Sequence, residues 1–155
     1  MEPDKNTKSA AYYTSFYKHD VDEKRRVQVP AKWRRDGELV EYTLVTWPQN
    51  REGTCLRVLP PGEMAKLMQQ LEGLPNSDPT KVALKRYIGT ESEGVTVDKA
   101  GRICLPERMA KAADITGEAM LVGLLDKFEI WNPARYERVK ASDSMMAAEA
   151  MRLMG

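Results

Sequence analysis

Two stretches of the chain repeat one pattern of residues at a constant spacing. Residues 20–30 read DVDEKRRVQVP, and residues 96–106 read TVDKAGRICLP. Four identical residues recur 76 positions apart: Val21 and Val97, Asp22 and Asp98, Arg26 and Arg102, and Pro30 and Pro106. One short match arises easily by chance, whereas several matches at one offset do not. The sequence therefore indicates an internal duplication, and its fold must accommodate two equivalent units.

Apolar residues alternate with polar ones inside each copy. Val27 and Val29 lie two positions apart in the first copy, as Ile103 and Leu105 do in the second. This is the period of a strand with one buried face. Each copy is predicted to form a strand, a tight turn and a second strand. A proline then opens a short helix, where its missing N–H costs little.

The two copies and their flanks resemble the MraZ family of bacterial regulators. The family signature D-x-x-x-R is present twice, and the segments VQVPAKWR (residues 27–34) and MLVGLLDKFEIW (residues 120–131) are also similar. The resemblance extends from about residue 16 to residue 139. It implies an α+β fold of two tandem swapped-hairpin β-barrel halves of the AbrB type, related by an internal pseudo-twofold. It implies no cofactor.

The duplication and the resemblance together divide the chain into four parts. We expect a flexible N-terminal extension over residues 1–15 and a first AbrB-like half over residues 16–74. A second half should cover residues 75–140 and a helical tail residues 141–155. Both halves should contain the same order of elements: a hairpin, a short helix, a second hairpin and a further helix.

Apolar periodicity and capping residues predict the longer helices. Four side chains fall on one face of a helix predicted over residues 60–72: Met64, Leu67, Met68 and Leu71. Such a stripe is expected to pack in the core rather than to line a cofactor pocket. Asp78 with Pro79, and Asn132 with Pro133, should each cap and open a helix.

The charges are balanced overall but are unevenly distributed. The chain has 24 Lys and Arg against 23 Asp and Glu, a net charge of +1, so total charge does not indicate a nucleic-acid partner. Residues 18–35 nevertheless carry seven basic and three acidic residues, and residues 94–111 carry four and two. A charged cluster is often only a solvated face. Two clusters at equivalent positions favour a shared role.

The sequence gives little support for catalysis or for a metal site. The two cysteines, Cys55 and Cys104, lie in apolar strand-like segments without C-x-x-C spacing, and both are expected to be buried thiols. His19 is the single histidine, and we assign it no catalytic role. Neither a nucleophile motif nor a phosphate-binding glycine loop is present. We therefore predict that the chain is not an enzyme and needs no metal or cofactor.

Arginine at the exit of each turn carries the functional hypothesis. A guanidinium can clamp a phosphate or pair with the O6 and N7 atoms of guanine. Five cations of the two turns are candidate DNA contacts: Lys24, Arg25, Arg26, Lys99 and Arg102. Asp22, Asp98 and Gly101 are expected to shape the turns and to orient the arginines. Salt bridges between subunits are the alternative use of the same arginines.

One position departs from the family pattern. Gly101 stands before the second signature arginine, as is usual in the family, whereas the first copy has Arg25. If both turns share a backbone with positive φ, Arg25 carries strain of roughly 1 kcal/mol. On this reasoning alone, Arg25→Gly should raise stability modestly.

The resemblance implies a sequence-specific transcriptional regulator that binds double-stranded DNA. It would repress its own division and cell-wall gene cluster by binding repeated promoter boxes, as a ring-shaped homo-oligomer. We expect a cytoplasmic, nucleoid-associated protein with no membrane or small-molecule partner. Two alternatives remain: an antitoxin-type regulator with the AbrB fold, and a structural ring protein that does not bind DNA.

Overall fold

The computed structural model describes residues 12–34, 40–49 and 53–155, and it confirms the α+β class. The first copy contributes β1 (Phe16–Asp20), β2 (Arg26–Gln28), a 3-10 turn (Ala31–Trp33), β3 (Glu41–Gln49), β4 (Gly53–Leu59) and α1 (Glu63–Glu72). After α2 (Pro79–Thr90), the second contributes β5 (Ser92–Thr96), β6 (Arg102–Cys104), α3 (Glu107–Ala112), β7 (Glu118–Gly123), β8 (Phe128–Trp131) and α4 (Pro133–Met154).

The eight strands form two antiparallel sheets in which the two copies are interleaved. The larger sheet has the order β1-β7-β8-β4-β3-β5, and the smaller one pairs β2 with β6. The larger sheet is symmetric with respect to the two copies. If each strand is replaced by its counterpart in the other copy (β1 by β5, β3 by β7, β4 by β8), the same strand order results, read from the opposite edge. The sheet therefore alternates between copies at three of its five junctions, and neither copy could complete it alone.

The larger sheet does not close into a barrel within the residues that the structure describes. Strands β1 and β5 are its two edges. Each edge strand is followed by a tight turn and then by one strand of the smaller sheet. A backbone hydrogen bond closes each turn, from the Asp22 N–H to the Arg26 carbonyl (3.1 Å) and from the Asp98 N–H to the Arg102 carbonyl (2.8 Å). The β2–β6 pair, only three residues long on each side, is a separate small sheet joined to both edges of the larger one.

The main core lies between the β2–β6 pair and the larger sheet. The predicted inward residues Val27, Val29, Ile103 and Leu105 are all fully buried. Trp33 of the 3-10 turn packs on Phe128 of β8, with ring centroids 4.8 Å apart, and its indole N–H donates to the Thr14 carbonyl (2.9 Å). Apolar residues from both copies thus exclude water from a single cluster.

The prediction that both cysteines are buried is confirmed for Cys55 and wrong for Cys104. Cys104 is exposed because the alternation that turns Ile103 inward places its neighbour on the opposite face of β6. Cys55 lies under α4 beside Trp131, and burial raises the pKa of its thiol.

The helices start at the predicted capping residues, but α1 is less buried than expected. Asp78 accepts the Thr80 backbone N–H at the start of α2, and Asn132 accepts that of Arg135 at the start of α4. In α1 only Leu71 is buried, so the core prediction is wrong for Met64, Leu67 and Met68, which remain partly exposed. The reason is that α1 packs mainly on α2 rather than on the sheet, so most of its side chains face solvent.

The predicted tail is helical, and it continues α4 without a break. Tyr136 and Val139 in its first turns pack against Trp131, whereas residues 141–155 are exposed throughout. None of the helices in the described ranges combines the length and the hydropathy needed to cross a membrane.

Part of the predicted N-terminal extension and of two connections lies outside the described residues, namely 1–11, 35–39 and 50–52. Within residues 12–15, Tyr13 exchanges two backbone hydrogen bonds with Leu125 in the β7–β8 turn, of 2.8 and 3.0 Å. These four residues are therefore attached to the second copy.

Interleaving predicts that the two copies unfold together. Leu56 and Ile130 are opposite each other where β4 meets β8, and both are fully buried. Ile130→Ala should lower the free energy of unfolding by about 2–5 kcal/mol. Amide exchange should report the same loss in β1–β3 as in β5–β8. Leu153→Ala, at an 86% exposed position, is the control. A loss confined to β5–β8 would contradict a shared cooperative unit.

Candidate nucleic-acid interface

The β2–β6 pair, which we call the ribbon, presents one face to the core and one to solvent. Val27 is opposite Ile103 at its centre, and both are buried. Alternation places four side chains on the outward face: Arg26, Gln28, Arg102 and Cys104. The turn around residues 22–25 lies at one end of the ribbon and the turn around residues 98–101 at the other.

Each turn is organised by the carboxylate of its aspartate. Asp22 Oδ1 accepts the backbone N–H groups of Lys24 (3.0 Å) and Arg26 (2.8 Å), and its Oδ2 accepts Arg26 Nε at 2.7 Å. Asp98 repeats this arrangement with Ala100 and Arg102, where the Nε contact is 3.3 Å. Hydrogen bonds from the backbone of Arg26 and of Arg102, respectively, lower the pKa of each carboxyl.

The two turns share one backbone conformation. Arg25 has φ +64° and Gly101 has φ +85°, and each donates its N–H to the carbonyl of the aspartate three residues earlier, at 2.8 and 2.9 Å. Arg25 therefore occupies the left-handed region that glycine adopts freely. The first half of the expectation for Arg25 is met, because the strained conformation is present.

Side chains tie each turn to the opposite strand. Gln28 Nε2 donates to the Ala100 carbonyl (3.0 Å), and at the equivalent place Cys104 Sγ lies 3.3 Å from the Lys24 carbonyl. Arg25 Nε donates to the Leu105 carbonyl at 2.9 Å. The tips of the turns are thereby held against the ribbon, while Lys24 and Lys99 extend from them into solvent.

The signature arginines are partly exposed, and Arg102 also lies close to the carboxylate of the first turn. About a third of each side chain is accessible, 34% for Arg26 and 33% for Arg102. Arg102 Nη1 also lies 4.0 Å from Asp22 Oδ2, so Asp22 is near both guanidinium groups. The structure thus brings all five predicted cations to the ribbon and its two turns, with the arginines oriented by carboxylates as expected.

Comparison with known proteins identifies the family. A family described as "MraZ protein, putative antitoxin-like" matches residues 89–154. The transcriptional regulator MraZ of Roseiflexus castenholzii is 30% identical over 138 residues, which is 88% of this chain and 93% of that protein. Its counterparts from Acidithiobacillus ferrooxidans and Lachnoclostridium phytofermentans are 34% and 36% identical, over 81% and 78% of this chain and 85% and 82% of their own lengths. The chain belongs to the MraZ family.

Membership of the MraZ family confirms the resemblance drawn from the two signatures. It also confirms that the chain is not an enzyme, since the relatives are named as transcriptional regulators. Within the described ranges, no group of three or more His, Cys, Asp or Glu side chains is arranged to hold a metal ion. His19 stacks on Tyr17, with parallel rings 6.3 Å apart.

Three residues at or beside the ribbon were not assigned to this site from the sequence: Gln28, Arg34 and Cys104, the last of which was expected to be buried. Gln28 and Cys104 could have been predicted, because the alternation in β2 and β6 places them on the outward face when Val27 and Ile103 face the core. Arg34 is different, because its guanidinium reaches back across Gly101, where an added Cβ would lie 2.4 Å from Arg34 Nη1. Nothing in the local pattern indicates that contact.

The lowered pKa values of Asp22 and Asp98 predict a specific dependence of stability on pH. A depressed carboxyl pKa contributes stability that is fully present above the unfolded value of about 3.9 and is lost as pH falls through the folded value. The variant Asp22→Asn/Asp98→Asn should therefore lose less stability than the wild type as pH is lowered from 5 towards 2. All other carboxylates are common to both proteins. Parallel curves of unfolding free energy against pH would contradict the assignment.

Proposed function

We propose that this chain is a transcriptional regulator that binds double-stranded DNA through the outward face of the ribbon. The observation that carries the proposal is an exposed two-stranded antiparallel ribbon that presents Arg26 and Arg102, one from each copy. The major groove of B-DNA is wide enough for such a ribbon, and several regulators read bases in this way. The names of the relatives support a role in transcription.

Arg26 and Arg102 are the proposed base-reading residues. Their carboxylate partners hold Nε, and the Nη groups are the donors that would face a base or a phosphate. In Arg102, Nη1 also lies 4.0 Å from Asp22 Oδ2, so Nη2 is the freer donor. Asp22 and Asp98 then act as supports, because a guanidinium fixed at one nitrogen loses less rotamer freedom on binding. Gly101 belongs to the same support, since it allows the second turn its conformation.

Lys24 and Lys99 are proposed to contact phosphates. Both are exposed at the tips of the turns, at opposite ends of the ribbon, where they could reach the two backbones that border a groove. Such contacts provide sequence-independent affinity and fix the orientation of the protein. Arg25, the fifth predicted contact, binds a carbonyl of its own chain, and a different role is argued for it below.

The interleaved sheet supports a swapped-hairpin reading of the fold. In this proposal each copy (residues 16–74 and 75–140) gives its first hairpin to the unit that the other completes. The pairings of β1 with β7 and of β5 with β3 favour it. The duplication would then serve to build one DNA-reading ribbon from two half-sites within a single chain.

Repression of its own division and cell-wall gene cluster through repeated promoter boxes is the finer proposal, and it includes a ring-shaped homo-oligomer. A single ribbon offers few base contacts, so affinity would come from several subunits binding at once. Candidate subunit interfaces are the exposed apolar side chains of α1 and of the end of α4: Met68, Met145, Met146, Met151, Leu153 and Met154. Such a regulator would act in the cytoplasm, at the nucleoid, without a cofactor.

One observation favours the alternative of a structural ring that does not bind DNA. Arg26 and Arg102 already have carboxylate partners, and DNA phosphates would have to compete with Asp22 and Asp98 for them. Binding measurements on the signature arginines decide between the two functions.

Arg26→Ala and Arg102→Ala should each weaken binding to the DNA upstream of the protein's own gene. Removal of one base-reading guanidinium should reduce discrimination against unrelated DNA by about 1–3 kcal/mol. A gel-shift or anisotropy titration measures the change in affinity. Arg86→Ala, which removes an exposed arginine from α2, is the matched control. Unchanged affinity for both ribbon variants, with folding intact, would reject the interface.

Repeated boxes should have to lie on one face of the DNA. If several ribbons bind together, boxes about 10–10.5 base pairs apart should be bound more tightly than a single box, by up to roughly 10²–10⁴. Insertion of half a helical turn between boxes should remove most of that gain. Native mass spectrometry of the same samples reports the number of subunits. A monomer, or affinity that is indifferent to box number and phase, would exclude the multivalent mechanism.

A further inference from the structure

Beyond the three residue pairs of β2 and β6, the backbone hydrogen bonds continue in part at each end of the ribbon. By the register of Val27 opposite Ile103, Val29 is opposite Gly101, and Leu105 is opposite Arg25. In an antiparallel ladder such partners exchange two hydrogen bonds. Only one bond of each pair is present, from Val29 N–H to the Gly101 carbonyl and from Leu105 N–H to the Arg25 carbonyl, both 2.8 Å.

The second bond of each pair is diverted to the turns. The positive φ of Gly101 and Arg25 directs their N–H groups to the carbonyls of Asp98 and Asp22. The carbonyls of Val29 and Leu105 are thereby deprived of their ladder donors, and both residues are fully buried. A buried acceptor without a partner is costly, so each carbonyl needs a donor from elsewhere.

Both carbonyls receive that donor from an arginine, but by different routes. At one end, Arg25 Nε donates to the Leu105 carbonyl (2.9 Å), so the residue that turned its N–H away replaces it with its own side chain. At the other end, Arg34 Nε donates to the Val29 carbonyl (3.0 Å) from the segment after the 3-10 turn.

The two solutions require different residues at the equivalent turn positions. A Cβ on Gly101 would lie 2.4 Å from Arg34 Nη1, 2.6 Å from its Cζ and 2.7 Å from Gln28 Nε2. A side chain at this position would therefore displace the Arg34 guanidinium from the place it now occupies, and the end of the Gln28 side chain would have to move aside. In the other copy, Ala110 stands 76 residues after Arg34 and is buried, which leaves the donor to Arg25 itself. Arg25 with Ala110, and Gly101 with Arg34, are therefore alternative pairs for one task.

We propose that Arg25 and Arg34 are equivalent positioning residues that fix the two ends of the DNA-reading ribbon, and that neither is a DNA contact. The inference rests on the proposed function, because the ribbon needs fixed ends only if Arg26 and Arg102 must meet base edges at defined places. It accounts for arginine in a strained turn position, and for an arginine outside the duplicated signature.

Exchange of one solution for the other tests the proposal. Gly101→Arg/Arg34→Ala places in the second turn the arrangement found in the first. Arg34→Ala alone should lower the thermal midpoint by roughly 3–10 °C and speed amide exchange in β2 and β6. The double variant should recover a substantial part of both losses. Arg86→Ala is the control for removal of one positive charge.

The comparison of the double variant with Arg34→Ala is decisive even if Gly101→Arg alone does not fold. A double variant less stable than Arg34→Ala would overturn the proposal, because a second arginine would then have failed to replace the first.

In the other copy, Arg25→Gly should lower the thermal midpoint. The relief of strain expected from the sequence is outweighed by loss of the donor to Leu105. A rise in midpoint would overturn the role of Arg25.

DNA binding separates positioning from direct contact. Arg34→Ala should reduce the ratio of affinities for the gene's own upstream fragment and for a scrambled fragment by about fivefold or more, and the double variant should restore it. The slope of log affinity against log salt should not change. A slope shallower by about 0.9 would show that Arg34 neutralises a phosphate and would overturn the assignment. If the wild type binds neither fragment, the proposed function is rejected. The thermal midpoints and amide exchange rates of the variants still test whether Arg25 and Arg34 are equivalent donors.

Discussion

The pairing of β2 with β6 is the contact on which the rest of the structure depends. These two strands share only three residue pairs, yet they bury Val27 and Ile103 in the main core, between the small sheet and the larger one. Their ends are fixed by turn carboxylates and by two guanidinium groups, not by a longer ladder. A short ribbon of this kind can leave its outward face free for recognition because its stability comes from its edges and its inward face.

The Asp–Arg pairs of the signature combine two roles that are often separate. In each turn one carboxylate oxygen accepts backbone N–H groups and so sets the conformation, while the other holds the arginine that leaves the turn. The geometry of the backbone and the direction of the guanidinium are therefore coupled through a single side chain. This coupling explains why aspartate and arginine are needed four residues apart rather than merely somewhere in the same loop.

The sequence was informative wherever a local rule decides the structure. Alternation predicted the inward face of the ribbon, and Asp78 and Asn132 predicted the starts of two helices. Local rules failed where the outcome depends on distant residues. The exposure of Met68 depends on how α1 packs on α2, and the interleaving of strands depends on pairings between copies. The contact of Arg34 with Val29 could not be predicted, because the need for it arises from a turn in the other copy.

Interleaving also constrains how the chain reaches its folded state. Strand β1 pairs with β7 at one edge of the sheet, and β4 pairs with β8 in its middle. The paired strands are far apart along the chain, and β1 and β7 are separated by about 100 residues. Such nonlocal pairing slows folding, since a large loop must close before the contacts form. During synthesis, the strand edges of β1 and β4 that pair with β7 and β8 lack these partners until β7 and β8 have emerged from the ribosome. A sheet assembled from strands so far apart along the chain is therefore expected to form only after β7 and β8 are available.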